Sequence, residues 1–201
     1  MPSQNWAKQY RDENKETETN QSESATGKIE EIDDIGYDED PVSLFSPKNN
    51  MFDGNVLSRK HKKGDRRFNV YGHGETTFLF DEDGRFPGIK NADDFDTMMK
   101  ALNDQWDNSK DNKNTVLSLW SCKSGSVGKD GLSLAQMISK KHPNIIVIGG
   151  DGYFNYVKIK TKIPQYRIAG VDIDPNSGKN DGKLVAYKNG IRIYRETFKR
   201  H

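Results

Sequence analysis

Residues 115–125 are Thr-Val-Leu-Ser-Leu-Trp-Ser-Cys-Lys-Ser-Gly. A short, mostly apolar run with β-branched and aromatic members ends there in a polar, glycine-bearing loop, which is the pattern of a strand running into a loop. The same form occurs on both sides of it. Upstream, Arg67-Phe-Asn-Val-Tyr71 runs into Gly72-His73-Gly74, and downstream Ile145-Ile-Val-Ile148 runs into Gly149-Gly150-Asp151-Gly152. Between the first two lies a segment with Phe95, Met98, Met99, Leu102 and Trp106 at three-to-four spacing, capped by Asn91 or Asp93. Between the second and third lie Leu132, Leu134, Ala135, Met137 and Ile138, with Pro143 as a stop signal. These spacings predict helices. Strand, helix, strand, helix, strand with short connections predicts a parallel α/β unit, and strands this apolar predict burial on both faces.

The flanks differ from this centre. Thr76–Phe80 followed by Asp83-Gly84 predicts a further short strand and a turn. Beyond residue 152 more strands are expected. Leu184–Lys188 and Ile191–Arg195 flank Asn189-Gly190, the pair that favours a type I′ hairpin turn. At the other end, residues 1–40 carry 12 acids and 4 bases with only nine apolar or aromatic residues. Such a segment buries too little surface to offset the entropy of ordering, so it is expected to be a disordered or linker tail. Residues 41–201 carry 27 bases and 18 acids and are expected to form the folded domain. The basic cluster from Arg59 to Arg67 is read as a solvated face or a docking surface for the acidic tail.

Several classes of function are set aside. No apolar run approaches the length needed to span a bilayer, so no membrane partner is expected. The first sixteen residues show no apolar signal core, so the expected location is the cytoplasm, or secretion by a route without a Sec signal peptide. A single cysteine excludes an internal disulfide framework and a Cys-rich zinc site. Gly125-Ser-Val-Gly128-Lys129-Asp130 fails as a phosphate loop, because Asp130 stands where Ser or Thr is needed. Asp172-Ile-Asp174-Pro-Asn176 fails as a calcium loop, because Ser177 and Lys183 stand where Gly and Glu are needed, and a turn is expected. No aromatic platform interleaves the basic cluster, so nucleic acid is not expected as a partner.

In an open parallel sheet, functional groups collect at the carboxyl ends of strands. His73 and Cys122 both fall there. An imidazole can take a proton from a thiol, which then attacks a carbonyl carbon. The Gly74 and Cys122 N–H groups are the expected donors to the resulting oxyanion.

An apolar block followed by His-Gly, and a second apolar block followed by X-Cys, resembles the caspase-like cysteine peptidases. This group includes caspases, metacaspases, legumain, gingipain-type enzymes and the autoprocessing domains of large bacterial toxins. The blocks here are Phe68–Gly74 and Val116–Cys122, with 49 residues separating His73 from Cys122, close to the caspase spacing. Ser121-Cys122-Lys123-Ser124-Gly125 is similar to the Ser-Cys-His-Ser-Gly stretch of metacaspases. The resemblance covers about residues 66–152. It implies a three-layer sandwich around a largely parallel sheet, with a C-terminal β-rich extension, and a cysteine endopeptidase that needs no cofactor or metal. Its substrate would be a protein or peptide. Trp120 replaces the acid that metacaspases carry two positions before the nucleophile. With Trp120 and Ser121 as lining residues, the first substrate pocket is expected to be partly apolar unless Asp151 lines it; the alternative role for Asp151 is a turn cap. Gly182–Gly190 resembles endings of bacterial Rhs-type toxin modules, which implies an effector context and a cognate immunity protein as partner. The rival reading is a caspase-like fold kept as a non-catalytic binding module.

Overall fold

The computed structural model describes residues 41–49, 67–128, 131–159 and 165–197. The acidic segment 1–40 and the basic residues 59–66 lie outside them, and with them the expected domain boundary at residue 40. The described residues belong to one unit, Gly36–Phe198.

The centre is a mixed, mostly parallel six-stranded sheet. Four strands run parallel: β1 (Val42–Ser43), β2 (Arg67–Tyr71), β5 (Val116–Trp120) and β6 (Ile146–Gly150). Two antiparallel strands, β9 (Lys183–Lys188) and β10 (Ile191–Thr197), complete it in the order β1-β2-β5-β6-β9-β10. The remaining strands form two separate ribbons, β3 (His73–Glu75) with β4 (Phe78–Phe80), and β7 (Tyr153–Ile159) with β8 (Gln165–Asp172). The coarse α/β expectation holds.

Strand periodicity sorts the central side chains into two sets. Phe68 and Val70, Leu117 and Leu119, Val147, and Val185 and Tyr187 share one core with the helices. Among the described residues the helices are α1 (Ala92–Leu102), α2 (Trp106–Ser109) and α3 (Leu134–Lys141). Phe95, Met98 and Met99 of α1, Trp106 of α2, and Leu134, Ala135 and Ile138 of α3 supply their side of that core. The alternate positions, among them Tyr71, Trp120 and Ile148, are buried as well. Tyr71 stacks on Trp120 at 6.3 Å, and Phe154 of β7 meets Trp120 edge-on at 5.7 Å. Burial on both faces explains why the sequence reads as continuous apolar runs.

Asn91 caps α1, its side-chain oxygen accepting from the N–H groups of Asp93 and Asp94 at 2.8 and 2.9 Å. The expected single helix through Trp106 is in fact two. Asn103 is extended, and its side chain accepts from the Gln105 N–H at 3.0 Å, a local bond that competes with helix continuation. Ser133 caps α3 by accepting from the Gln136 N–H at 3.2 Å.

The C-terminal strands depart from the expected extension. The Asn189-Gly190 hairpin forms as expected, with both residues at positive φ, 51° and 73°. Its first strand, however, joins the central sheet beside β6. Four successive buried residues, Leu184-Val-Ala-Tyr187, suit a strand covered on both faces rather than one facing water. No helix among the described residues is long and apolar enough to cross a membrane.

Candidate active site

β2 and β5 run side by side in register Tyr71↔Trp120. His73 and Cys122 each follow that pair by two residues, so neighbouring parallel strands deliver both to the same end of the sheet. Beyond Tyr71 the chain does not simply end in a glycine loop. It enters the β3–β4 ribbon, in which His73 lies opposite Phe80 and Gly74 opposite Leu79.

Two contacts bind this ribbon to the cysteine segment. A Cβ on Gly74 would lie 2.1 Å from Ser121 Oγ and 2.7 Å from the Phe78 carbonyl oxygen, so only glycine fits there. Just beyond that contact, Lys123 Nζ meets the Glu75 carboxylate at 3.0 Å. Leu79 exchanges backbone hydrogen bonds with Ile89 on the far side of β4, at 2.9 and 3.2 Å. The opposed Gly74–Leu79 pair is therefore a non-hydrogen-bonded one, and the Gly74 N–H points away from β4.

The turn after Cys122 is firmly held. Lys123 takes positive φ (55°), uncommon for a residue with a side chain. Its N–H donates to the Gly152 carbonyl at 2.7 Å, and its ammonium lies 4.4 Å from the centre of the Tyr153 ring. Ser124 Oγ donates to the carbonyls of Ser121 and Leu119 at 2.8 and 3.2 Å, and the Gly125 N–H donates to the Gly150 carbonyl at 2.8 Å. Gly125 and Gly149 touch so closely that a Cβ on Gly125 would lie 2.7 Å from the Gly149 oxygen. Over-determination of this kind is what keeps a strained residue in place.

Cys122 is a half-buried free thiol. Burial pushes the thiol up, and the nearby Glu75 charge adds to this, against the Phe154 N–H and the Lys123 charge. The resting group is therefore the thiol, so a base must take its proton when it reacts. The His73 side chain is half exposed, and its ring meets Phe45 edge-on at 5.1 Å. Nε2 lies 3.1 Å from Oε1 of Glu82, which leaves Nδ1 as the second ring nitrogen.

Glu82 was not singled out in the sequence. It is well anchored: its carboxylate accepts from the Ser46 N–H at 2.7 Å and from Asn49 Nδ2 at 3.0 and 3.2 Å. Its own N–H donates to the Leu44 carbonyl at 2.9 Å. Only the fold brings the 44–49 segment to it, so an acid inside Asp-Glu-Asp gave no signal.

Three residues expected to line a substrate pocket are placed otherwise. Trp120 is 1% exposed and donates from Nε1 to Asn69 at 2.7 Å, so it supports the site from beneath and offers no surface to a substrate. Ser121 is also 1% exposed, closed over by Gly74. Asp151 binds within the fold: its carboxylate accepts from the Lys183 N–H at 2.6 Å and from Arg195 at 2.8 and 3.2 Å. Register explains this, since Gly150 opposes Leu184 and Asp151 is the first residue after β6. Asp172, in the rejected calcium loop, is fully buried and accepts from Asn155 Nδ2 at 2.7 Å, while Asp174 accepts from the Asn176 N–H at 3.0 Å as a turn residue does.

Ser121 Oγ has no hydrogen-bond partner among the described residues. Removing a buried, unsatisfied hydroxyl costs little or is favourable. Ser121→Ala is expected to shift unfolding stability by less than about 1 kcal/mol in a urea titration. It should leave the rate of Cys122 alkylation unchanged; a large drop in either would show that the hydroxyl holds the turn.

Comparison with family models, with curated proteins and with solved structures returns no match.

Proposed function

We propose that the protein is a caspase-like cysteine endopeptidase acting through Cys122 and His73. The reading rests on one observation above the others: adjacent parallel strands in register deliver a His-Gly and a Ser-Cys pair to one sheet end, where Gly74 and Ser121 touch. In the proposed reaction His73 takes the thiol proton and Cys122 Sγ bonds to the scissile carbonyl carbon. The Gly74 and Cys122 N–H groups hold the oxyanion. The C–N bond then breaks, and His73 gives its proton to the leaving amine. In the second half His73 takes a proton from water, the hydroxide attacks the thioester, and the thiol leaves reprotonated. All of this is side-chain and backbone chemistry.

Glu82 enters as a positioning residue, fixing the ring through Nε2. Glu82→Gln should lower kcat on the order of 10- to 100-fold with KM little changed, less than loss of the base itself. An unchanged kcat would remove Glu82 from the mechanism.

The elevated thiol favours the second reading, a binding module of the same fold. Mass spectrometry of a peptide library and of the protein itself, after incubation with wild type or Cys122→Ala, separates the two. New termini only with wild type support the peptidase. Identical product sets overturn it. An effector role with a cognate immunity protein belongs to the same proposal, its support being the Gly182–Gly190 resemblance.

A further inference from the structure

Antiparallel strand partners directly opposite each other point to the same face. His73 opposes Phe80 and Glu75 opposes Phe78, so both phenylalanines share the face of the ribbon that carries the candidate base. The inner face is marked by Leu79, fully buried opposite Gly74. Phe80 is 51% exposed, a large aromatic ring left in water beside His73. It does not stand alone. Phe78, Phe80, Phe86 and Pro87 wall a cavity of about 390 Å³, with Glu82 and Lys90 also lining it.

The cavity is built rather than incidental. Its floor turn is fixed by Asp81, 2% exposed, whose carboxylate accepts from Arg85 at 2.7 Å and from the Phe86 N–H at 3.1 Å. Arg85 also donates to the Ser43 carbonyl at 3.2 Å, tying the turn to β1. Its acids are already committed, Asp81 to Arg85 and Glu82 to His73, Ser46 and Asn49. The remaining wall is three phenylalanines and Pro87, with Gly84, Gly88 and the Lys90 side chain at its margin. At this size it suits one or two apolar side chains, being near the lower end for small-molecule sites.

We infer that this aromatic cavity is a substrate subsite, taking an apolar or aromatic side chain of the peptide on the C-terminal side of the scissile bond. The inference rests on the peptidase reading above. Direction follows from chemistry: the base that reprotonates the leaving amine must stand beside it, so the leaving half of the peptide lies toward His73. Glu82 is common to both places, lining the cavity and holding the His73 ring. A chain crossing from Cys122 past His73 therefore meets Phe80 next.

The experiment digests a proteome-derived peptide library with wild type, Phe80→Ser and Phe80→Leu, and aligns the cleaved bonds by mass spectrometry. Phe80 is exposed enough for both variants to fold, and Phe80→Leu preserves an apolar wall. Wild type should show Phe, Tyr, Leu or Met enriched at one of the first three positions after the bond. Phe80→Ser should reduce that enrichment at least fivefold, Phe80→Leu should largely keep it, and the distribution before the bond should be the same in all three. Cleavage without enrichment after the bond, or enrichment untouched by Phe80→Ser, overturns the subsite while leaving the peptidase standing. Absence of cleavage by wild type beyond the Cys122→Ala background overturns the peptidase reading, and the subsite with it.

Discussion

Cys122→Ala and His73→Ala are each expected to lower peptide hydrolysis on the order of 10⁴-fold or more, with the double variant no worse than either alone. The reason is that in the proposed reaction the two side chains perform one step. A thiol held up by burial is a poor nucleophile without a base, and an imidazole without a nucleophile has nothing to deprotonate. Loss of either removes the whole covalent route, so the second loss has nothing left to remove. Folding should survive both changes. His73 is half exposed and gives up one edge contact with Phe45, while Glu82 keeps its bonds to Ser46 and Asn49. Cys122 is half-buried, so its truncation opens little space. Unfolding midpoints are therefore expected to correspond to less than about 1 kcal/mol of change. Additive losses in the double variant would show that the two residues act independently and would sink the pairing. Full activity in Cys122→Ala would sink the nucleophile.

Different physical scales wrote the legible and the hidden parts of this molecule. The central strands were legible because each is a short, mostly apolar run, and burial on both faces needs nothing beyond its own segment. The cap at Asn91 and the Asn189-Gly190 turn were legible because capping and turn chemistry is local, whereas the Ser133 cap was not read. Nothing local to either strand fixes the register that pairs Tyr71 with Trp120. What the sequence hid is what depends on contacts between distant segments. Trp120 and Ser121 sit next to the thiol in sequence, yet strand alternation and the Gly74 contact turn them inward. Asp151 was an acid at the right end of the right strand, but the antiparallel pair β9 and β10 supplied Lys183 and Arg195 to it. Glu82 is the converse case, an unremarkable acid to which Ser46 and Asn49 come from some thirty residues away. The aromatic cavity, too, exists only because β3 and β4 pair in a register that puts Phe80 beside His73.

The largest stability effect is expected far from the site, at Asp96. Its carboxylate accepts from His142 Nε2 at 2.9 Å, from Trp106 Nε1 at 3.0 Å and from Lys141 Nζ at 2.7 Å. Lys141 also pairs with Asp93, and His142 Nδ1 lies 3.2 Å from Asp111. One acid thus joins α1, α2 and the end of α3. His142 and Trp106 are almost wholly buried, so Asp96→Ala strands two buried N–H donors at once. Asp96 itself is partly exposed, so the loss comes mainly from the orphaned donors, about 1–3 kcal/mol for each buried N–H left unsatisfied. The pH dependence follows from the directions of the two shifts. Burial pulls His142 down, but hydrogen bonds to Asp96 and Asp111 outweigh it and leave the imidazole above its ordinary 6.5. Its contribution is complete below that value and is lost as pH rises through the higher folded one. Burial pushes Asp96 up, but bonds from His142, Lys141 and Trp106 outweigh it and hold the carboxyl well below its ordinary 3.8. That contribution is complete above 3.8 and is lost as pH falls through the lower folded value. The cluster should therefore stabilise the fold most between these two ordinary values. Urea unfolding of wild type at pH 5, 6.5 and 8 should show stability falling toward pH 8. In Asp96→Asn, which keeps the shape and removes the charge, that slope should flatten. An equal slope in both proteins would mean that His142 is not held charged by Asp96.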